Sequence, residues 1–134
     1  MVHILLVDDD PTISTCVEHG LESMEHELQI ARDGGEGLAL TKQMTGTGAH
    51  PYPDIVILDL NMPGMDGPSF LREFRKQSGC KDIPVIILSA STATSDYERL
   101  AGLKISGIFP KPLSVEDYQP LGRMIQRVIA KRAA

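Results

Sequence analysis

The chain has 134 residues, 42% of them hydrophobic and 23% charged, with a formal net charge of −5. That length fits one domain with a real core, and the charge argues against unaided binding to nucleic acid or to an anionic membrane surface. Cys16 and Cys80 form no CxxC pair, no stretch reaches the ~20 apolar residues of a membrane span, and no basic-then-apolar leader opens the chain. The expectation is a single cytoplasmic domain over residues 1–134, whose one visible Lys/Arg cluster is the short tail around Lys131 and Arg132.

HILLVDDD, from His3, opens with a continuous apolar run that reads as a strand buried on both faces. Asp10 before Pro11 is a helix start, and Ile13, Val17, Leu21 and Met24 then recur at helical spacing. A short strand over 28–31 follows, Asp33-Gly34-Gly35 turns out of it, and a second helix over 36–44 is weakened by Gly37. TGTGAHPYP, over 45–53, reads as a surface connection. Next come a strand over 55–58, a helix over 68–77, a strand over 85–88 and a helix within 94–103. A last strand over 105–109 leads to Lys111-Pro112. Ser114 can cap a final helix, but Pro120 lies too deep for a helix begun there. The reading is therefore a single turn and a fresh start at Pro120, with Leu121, Met124, Ile125, Val128 and Ile129 as the buried stripe.

Five strands alternating with five helices make an α/β fold, a doubly wound five-stranded parallel sheet with helices on both faces. Ligands of such sheets sit beyond the carboxyl ends of the strands. There the sequence sets Asp8-Asp9-Asp10 after the first strand, Asp59 after the third, Ser89 after the fourth and Lys111 after the fifth. Crowded carboxylates repel one another unless a cation intervenes. An oxygen-rich site of this kind suits Mg²⁺, which takes one or two carboxylates and prefers phosphate oxygens among its other ligands. A hydroxyl and an ammonium opposite would serve a phosphoryl group, with Asp59 as the nucleophile that accepts it.

These segments carry a family resemblance. ILLVDDDP at 4–11, DIVILDLNMPGMDG at 54–67, ILSA at 87–90 and KPL at 111–113 stand in the order and at the spacing of a bacterial two-component response regulator receiver domain. The chain resembles that flavodoxin-like, chemotaxis-regulator-like fold over essentially its whole length. The resemblance implies that Asp59 is the phosphoacceptor, Ser89 the switch hydroxyl and Lys111 the phosphoryl contact. It implies a Mg²⁺ site from Asp8, Asp9, Asp59 and the backbone carbonyl of Asn61, with Asp9 a more direct ligand than Asp8. It also implies a cis Lys111-Pro112 bond, and an influence of Ser91 and Asn61 on how long the phosphoryl group lasts. The donor would be a histidine kinase or histidine phosphotransfer protein, and the domain would be an enzyme only in assisting its own phosphorylation and dephosphorylation. With about one helix after the last strand, no DNA-binding or enzymatic output domain fits within these residues. Output would pass to a downstream protein if 134 residues is the natural length, and to a module outside these residues if the chain is a piece of a longer one.

Other residues have plainer roles. Asp10, Asp54 and Asp66 read as cap or turn residues, and His3, His19, His26 and His50 share no metal-ligand spacing. DLNMPG begins like a calcium loop, but its twelfth position is Phe70 where a glutamate is required. A dehalogenase-type phosphatase needs a second Asp two residues after the nucleophile, where this chain has Asn61.

Three departures from the family pattern stand out. Ile108 occupies the place of the usual switch aromatic, with Phe109 one later on the opposite face of the strand. Lys104 replaces a common turn glycine, with Gly102 earlier, and Pro120 falls in the last helix. The missing aromatic keeps a second reading open, a phosphorylation-independent interaction module.

Overall fold

A computed structural model describes residues 1–46, 48, 51–90 and 94–133. The elements alternate as the apolar periodicity requires: β1 (Val2–Val7), α1 (Pro11–Gly20), β2 (His26–Ala31), α2 (Gly34–Lys42), β3 (Ile55–Asp59), α3 (Gly67–Lys76), β4 (Val85–Ser89), α4 (Thr94–Arg99) and β5 (Gly107–Pro110). A 3-10 turn (Val115–Tyr118) then leads into α5 (Gln119–Ala133). Pro120 thus falls in the first turn of α5, where its missing N–H costs nothing. Ser114 precedes the 3-10 turn without capping it, and its hydroxyl bonds Glu116 instead. Asp10, Asp33 and Asp66 cap α1, α2 and α3 by accepting from Thr12, Glu36 and Ser69 N–H groups. Asp54 accepts from the His3 N–H and ties the start of β3 to β1.

The sheet is parallel throughout, in the order β2-β1-β3-β4-β5. Every residue of β3 and β4 is buried, whereas the edge strand β2 alternates. Alternation along the central strands divides the core in two. Leu5, Val56, Leu58 and Ile87 pack with Phe70 and Phe74 of α3 on one face. Ile4, Ile57, Ile86 and Leu88 pack with Val17 of α1, Tyr118 and Ile125 of α5 on the other. The expected doubly wound fold is present.

Element ends shift by a few residues. Helix α4 is short, ending at Arg99, and β5 begins at Gly107 rather than 105. The turn between them falls on Gly102, whose φ of +78° is left-handed. Lys104 is thereby released from the turn, and its ammonium reaches Asp82 at 2.6 Å.

Strand order reverses between β1 and β3, since β1 continues to β2 on one side while β3, β4 and β5 build outward on the other. The crevice at that switch point, beyond the carboxyl ends, is where ligands of such sheets bind.

Candidate functional site

Three carboxylates meet at the switch point. Asp8 follows β1, Asp59 ends β3, and one carboxylate oxygen from each of Asp8, Asp9 and Asp59 lies within 4.8 Å of the other two. Asp8 is 0% exposed and Asp59 3%, while Asp9 faces solvent. Among the described residues no other group of His, Cys, Asp and Glu is placed to share an ion. His50 and Ser91, considered on sequence grounds, lie outside the described residues.

Lys111 reaches this cluster from the far side of the sheet. Its N–H bonds the Ser89 carbonyl at 2.7 Å, which anchors the chain leaving β5 against the end of β4. Its ammonium then extends across β4 to Asp59 Oδ1 at 2.9 Å and lies 3.6 Å from Asp8 Oδ2. The expected cis Lys111-Pro112 bond is absent, because every peptide bond among the described residues is trans. Trans is the default even before proline, by ~0.5–1 kcal/mol, and the lysine makes its contacts from it.

The two oxygens of Asp59 differ. Oδ1 accepts both from Lys111 and, at 3.3 Å, from the Asn61 N–H; Oδ2 takes neither bond. The β3–α3 loop closes tightly enough to aim that N–H, since a Cβ on Gly67 would stand 2.6 Å from the Asp59 carbonyl oxygen. Asp8 Oδ1 accepts from the Asp10 N–H at 2.9 Å, but Asp8 Oδ2 is buried with no hydrogen-bond partner.

Electrostatics follow from that packing. Burial pushes the Asp8 carboxyl up to about 6, against the Asp10 N–H that favours its ionised form, and nearby Asp59 raises it further. Burial also raises Asp59, partly opposed by Lys111. One ammonium shared between two buried carboxylates leaves negative charge uncompensated. An orphaned buried oxygen beside two more carboxylates is a donor set that fits a hard divalent cation.

Ser89 ends β4, the strand beside Asp59, and is itself 3% exposed. It lines an apolar crevice with Leu60, Tyr97, Leu100 and Ile108 that is too narrow for a water molecule. Ile108 packs on the α3 side of the sheet, while Phe109 turns to the α5 side against Tyr118, ring centroids 6.0 Å apart. The site side of β5 therefore carries no aromatic ring.

Sequence reasoning missed Arg99. From the last turn of α4 its guanidinium donates to Asn61 Oδ1 at 2.7 Å and to Asp66 Oδ2 at 3.1 Å, fastening α4 to the β3–α3 loop. No local pattern announces a contact across 38 residues of chain.

Known proteins are similar to this chain in sequence and fold. The family model described as the response regulator receiver domain matches residues 4–120. The chain belongs to the receiver domain family. As a receiver, it is 34% identical over 95% of its length to the DNA-binding dual master transcriptional regulator RpaA of Synechocystis sp., of which it covers 50%. It is 32% identical over 93% of its length to the response regulator Rcp1 of the same organism, of which it covers 84%. The receiver thus spans about half the length of the first curated relatives it matches. Among solved structures, the phosphorylated cyanobacterial phytochrome response regulator RcpA superposes with a TM-score of 0.83 at 27% identity, covering 99% of this chain and 96% of that one.

Proposed function

We propose that this chain, as one receiver domain over 1–134, is a phosphorylation-dependent switch of a two-component phosphorelay. The observation that carries the reading is the asymmetric Asp59: buried at a strand end, its Oδ1 held by Lys111 and Asn61, its Oδ2 bound by neither. A phosphohistidine on a histidine kinase or phosphotransfer protein would meet Oδ2. The N–P bond breaks as the O–P bond forms, and the imidazole leaves with the electron pair and takes up a proton.

Asp8, Asp9 and Asp59, with the Asn61 carbonyl, would hold Mg²⁺, whose charge would offset that of the phosphoryl oxygens. The Lys111 ammonium neutralises a phosphoryl oxygen from the other side, and the Ser89 hydroxyl closes toward it. A population shift of the β4–α4 and β5 surface then follows. A solved relative, the response regulator Rcp1, is known in a Mn²⁺-bound form and is 32% identical with a TM-score of 0.76 over 96% of this chain and 91% of that one. The reading makes the domain a cytoplasmic signalling protein that acts chemically only on its own acyl phosphate and hands its state to another protein.

Intact mass after incubation with acetyl phosphate tests this. A gain of about 80 Da, one phosphoryl group, is expected for the wild type with Mg²⁺ and for neither the Asp59→Asn variant nor a metal-free sample. A wild type that gains no mass, and that no beryllium fluoride mimic alters, overturns it. One observation favours a second reading, a phosphorylation-independent interaction module: Ile108 leaves the site side of β5 without a ring. In that case Asp59→Asn leaves partner binding unchanged.

A further inference from the structure

Most of the cations of this chain are gathered at one pole. A groove of about 660 Å³ opens at the amino ends of β4 and β5, opposite the carboxylate cluster. Arg127 and, one helical turn on, Lys131 and Arg132 rim it from α5, with Arg75 and Lys104 on its other wall. A second groove of about 730 Å³ shares Arg75 and Lys104 and adds Arg72, Lys76 and Lys81. Among the described residues they are lined together by eight of the 13 Lys and Arg residues but by only two acids, Asp82 and Glu73. Counted over those residues the pole is net +6, in a chain whose total is −5.

Those two acids are already engaged, Asp82 by Lys104 at 2.6 Å and Glu73 by Lys76 at 3.3 Å. Arg127, Lys131 and Arg132 make no salt bridge with any described residue. Arg75 is half-buried and structural, donating to the carbonyls of Cys80, Ile83 and Lys104. The α5 cations are thus the ones a partner meets.

The lining selects the partner. Between its basic walls the first groove has an apolar floor of Ile83, Pro84, Ile105, Met124 and Val128. No aromatic side chain lines either groove, so neither offers a stacking platform for bases. The apolar groups are recessed rather than protruding, so they cannot wedge into a bilayer as an amphipathic helix does. A recessed apolar floor between cations complements an acidic polypeptide that carries an aliphatic anchor. We propose that this pole docks an acidic protein segment, with carboxylates on Arg127, Lys131 and Arg132 and an aliphatic side chain on the floor. The site is separate from Asp59 and does not depend on its phosphorylation.

The probe is a short synthetic peptide of glutamates interrupted by leucines, titrated into the isotope-labelled full chain. Expected are amide shifts confined to residues around 82–84, 104–107 and 124–132, equal in the Asp59→Asn variant. Affinity should fall about tenfold or more in the Arg127→Glu, Lys131→Glu double variant, whose circular dichroism and melting temperature report that it is folded. It should also fall severalfold when serine replaces leucine in the peptide. The proposal is overturned if the double variant binds as the wild type does, or if the serine peptide binds equally well. It is also overturned if a mixed-sequence single-stranded oligonucleotide or phosphatidylglycerol vesicles bind more tightly than the peptide.

Discussion

Asp8 bears the largest uncompensated cost in the site, since a buried carboxylate with one orphaned oxygen disfavours its own ionised form. Its carboxyl titrates at about 6 in the folded chain against an ordinary 3.8. Between those values the native state holds the extra proton, so in metal-free buffer the contribution of Asp8 to stability falls as pH rises and levels off above about 6. Asp8→Asn keeps the bond from the Asp10 N–H and removes the charge. It should unfold at higher urea than the wild type at pH 7, by about 1–2 kcal/mol, and lose that advantage near pH 4. It should also lose any stabilisation that Mg²⁺ gives the wild type. Tyr118 presents a neutral case of the same cost. It is 0% exposed, its hydroxyl has no partner, and burial holds the phenol up to about 12. Tyr118→Phe should raise the urea midpoint, worth about 1 kcal/mol, with an unchanged slope; a loss of stability would mean that the hydroxyl is satisfied in solution. Asp8, Asp59, Ser89 and Lys111 were legible in the sequence because each directly follows an apolar run, so strand ends could be read off hydrophobicity. Tyr118 was not, because a four-residue 3-10 turn has no periodicity that shows which way its side chains point.

Two arginines tie elements together. Arg75 spans the α3–β4 and α4–β5 connections through three carbonyls at 2.6–2.9 Å, while stacking over Phe74. Arg75→Ala should cost about 2–3 kcal/mol in urea unfolding, because charge-assisted bonds are lost and carbonyls are left unpaired. Arg75→Lys should restore less than half of it, since a single ammonium cannot span that fork. Arg99 is the weaker tie, its pair with Asp66 having side chains 35% and 40% exposed. Arg99→Ala should cost under about 1 kcal/mol globally, yet speed amide exchange in α4, a helix of only six residues. Exchange unchanged by the substitution would show that α4 is held elsewhere. Element order and face assignment were readable because side chains alternate strictly along the strands, down to Ile108 and Phe109 of the edge strand β5 facing opposite ways. Element ends were less so: the chain turns at Gly102 and β5 starts late, choices made by a backbone angle rather than by hydrophobic pattern.

At the scale of the molecule the sheet separates charge. Carboxylates crowd the carboxyl ends of the strands and cations gather at the amino ends. In the sequence only Lys131 and Arg132 look like a basic cluster, because the remaining cations of that pole come from α3, from the turn after it, from the stretch before β5 and from one helical turn back along α5. A net charge of −5 is therefore a poor guide to how the molecule meets a charged surface. On a sulfonate resin at pH 7 an evenly acidic protein of this size flows through. This one should be retained at low ionic strength, lying basic end down with its acidic end toward the buffer, and should elute as the Debye length shrinks below ~10 Å near 0.1 M salt. The same preparation should bind a quaternary-ammonium resin by its other end. The Arg127→Glu, Lys131→Glu variant should pass the first column and hold more tightly to the second, so that two elution volumes measure a polarity that no titration of total charge would detect.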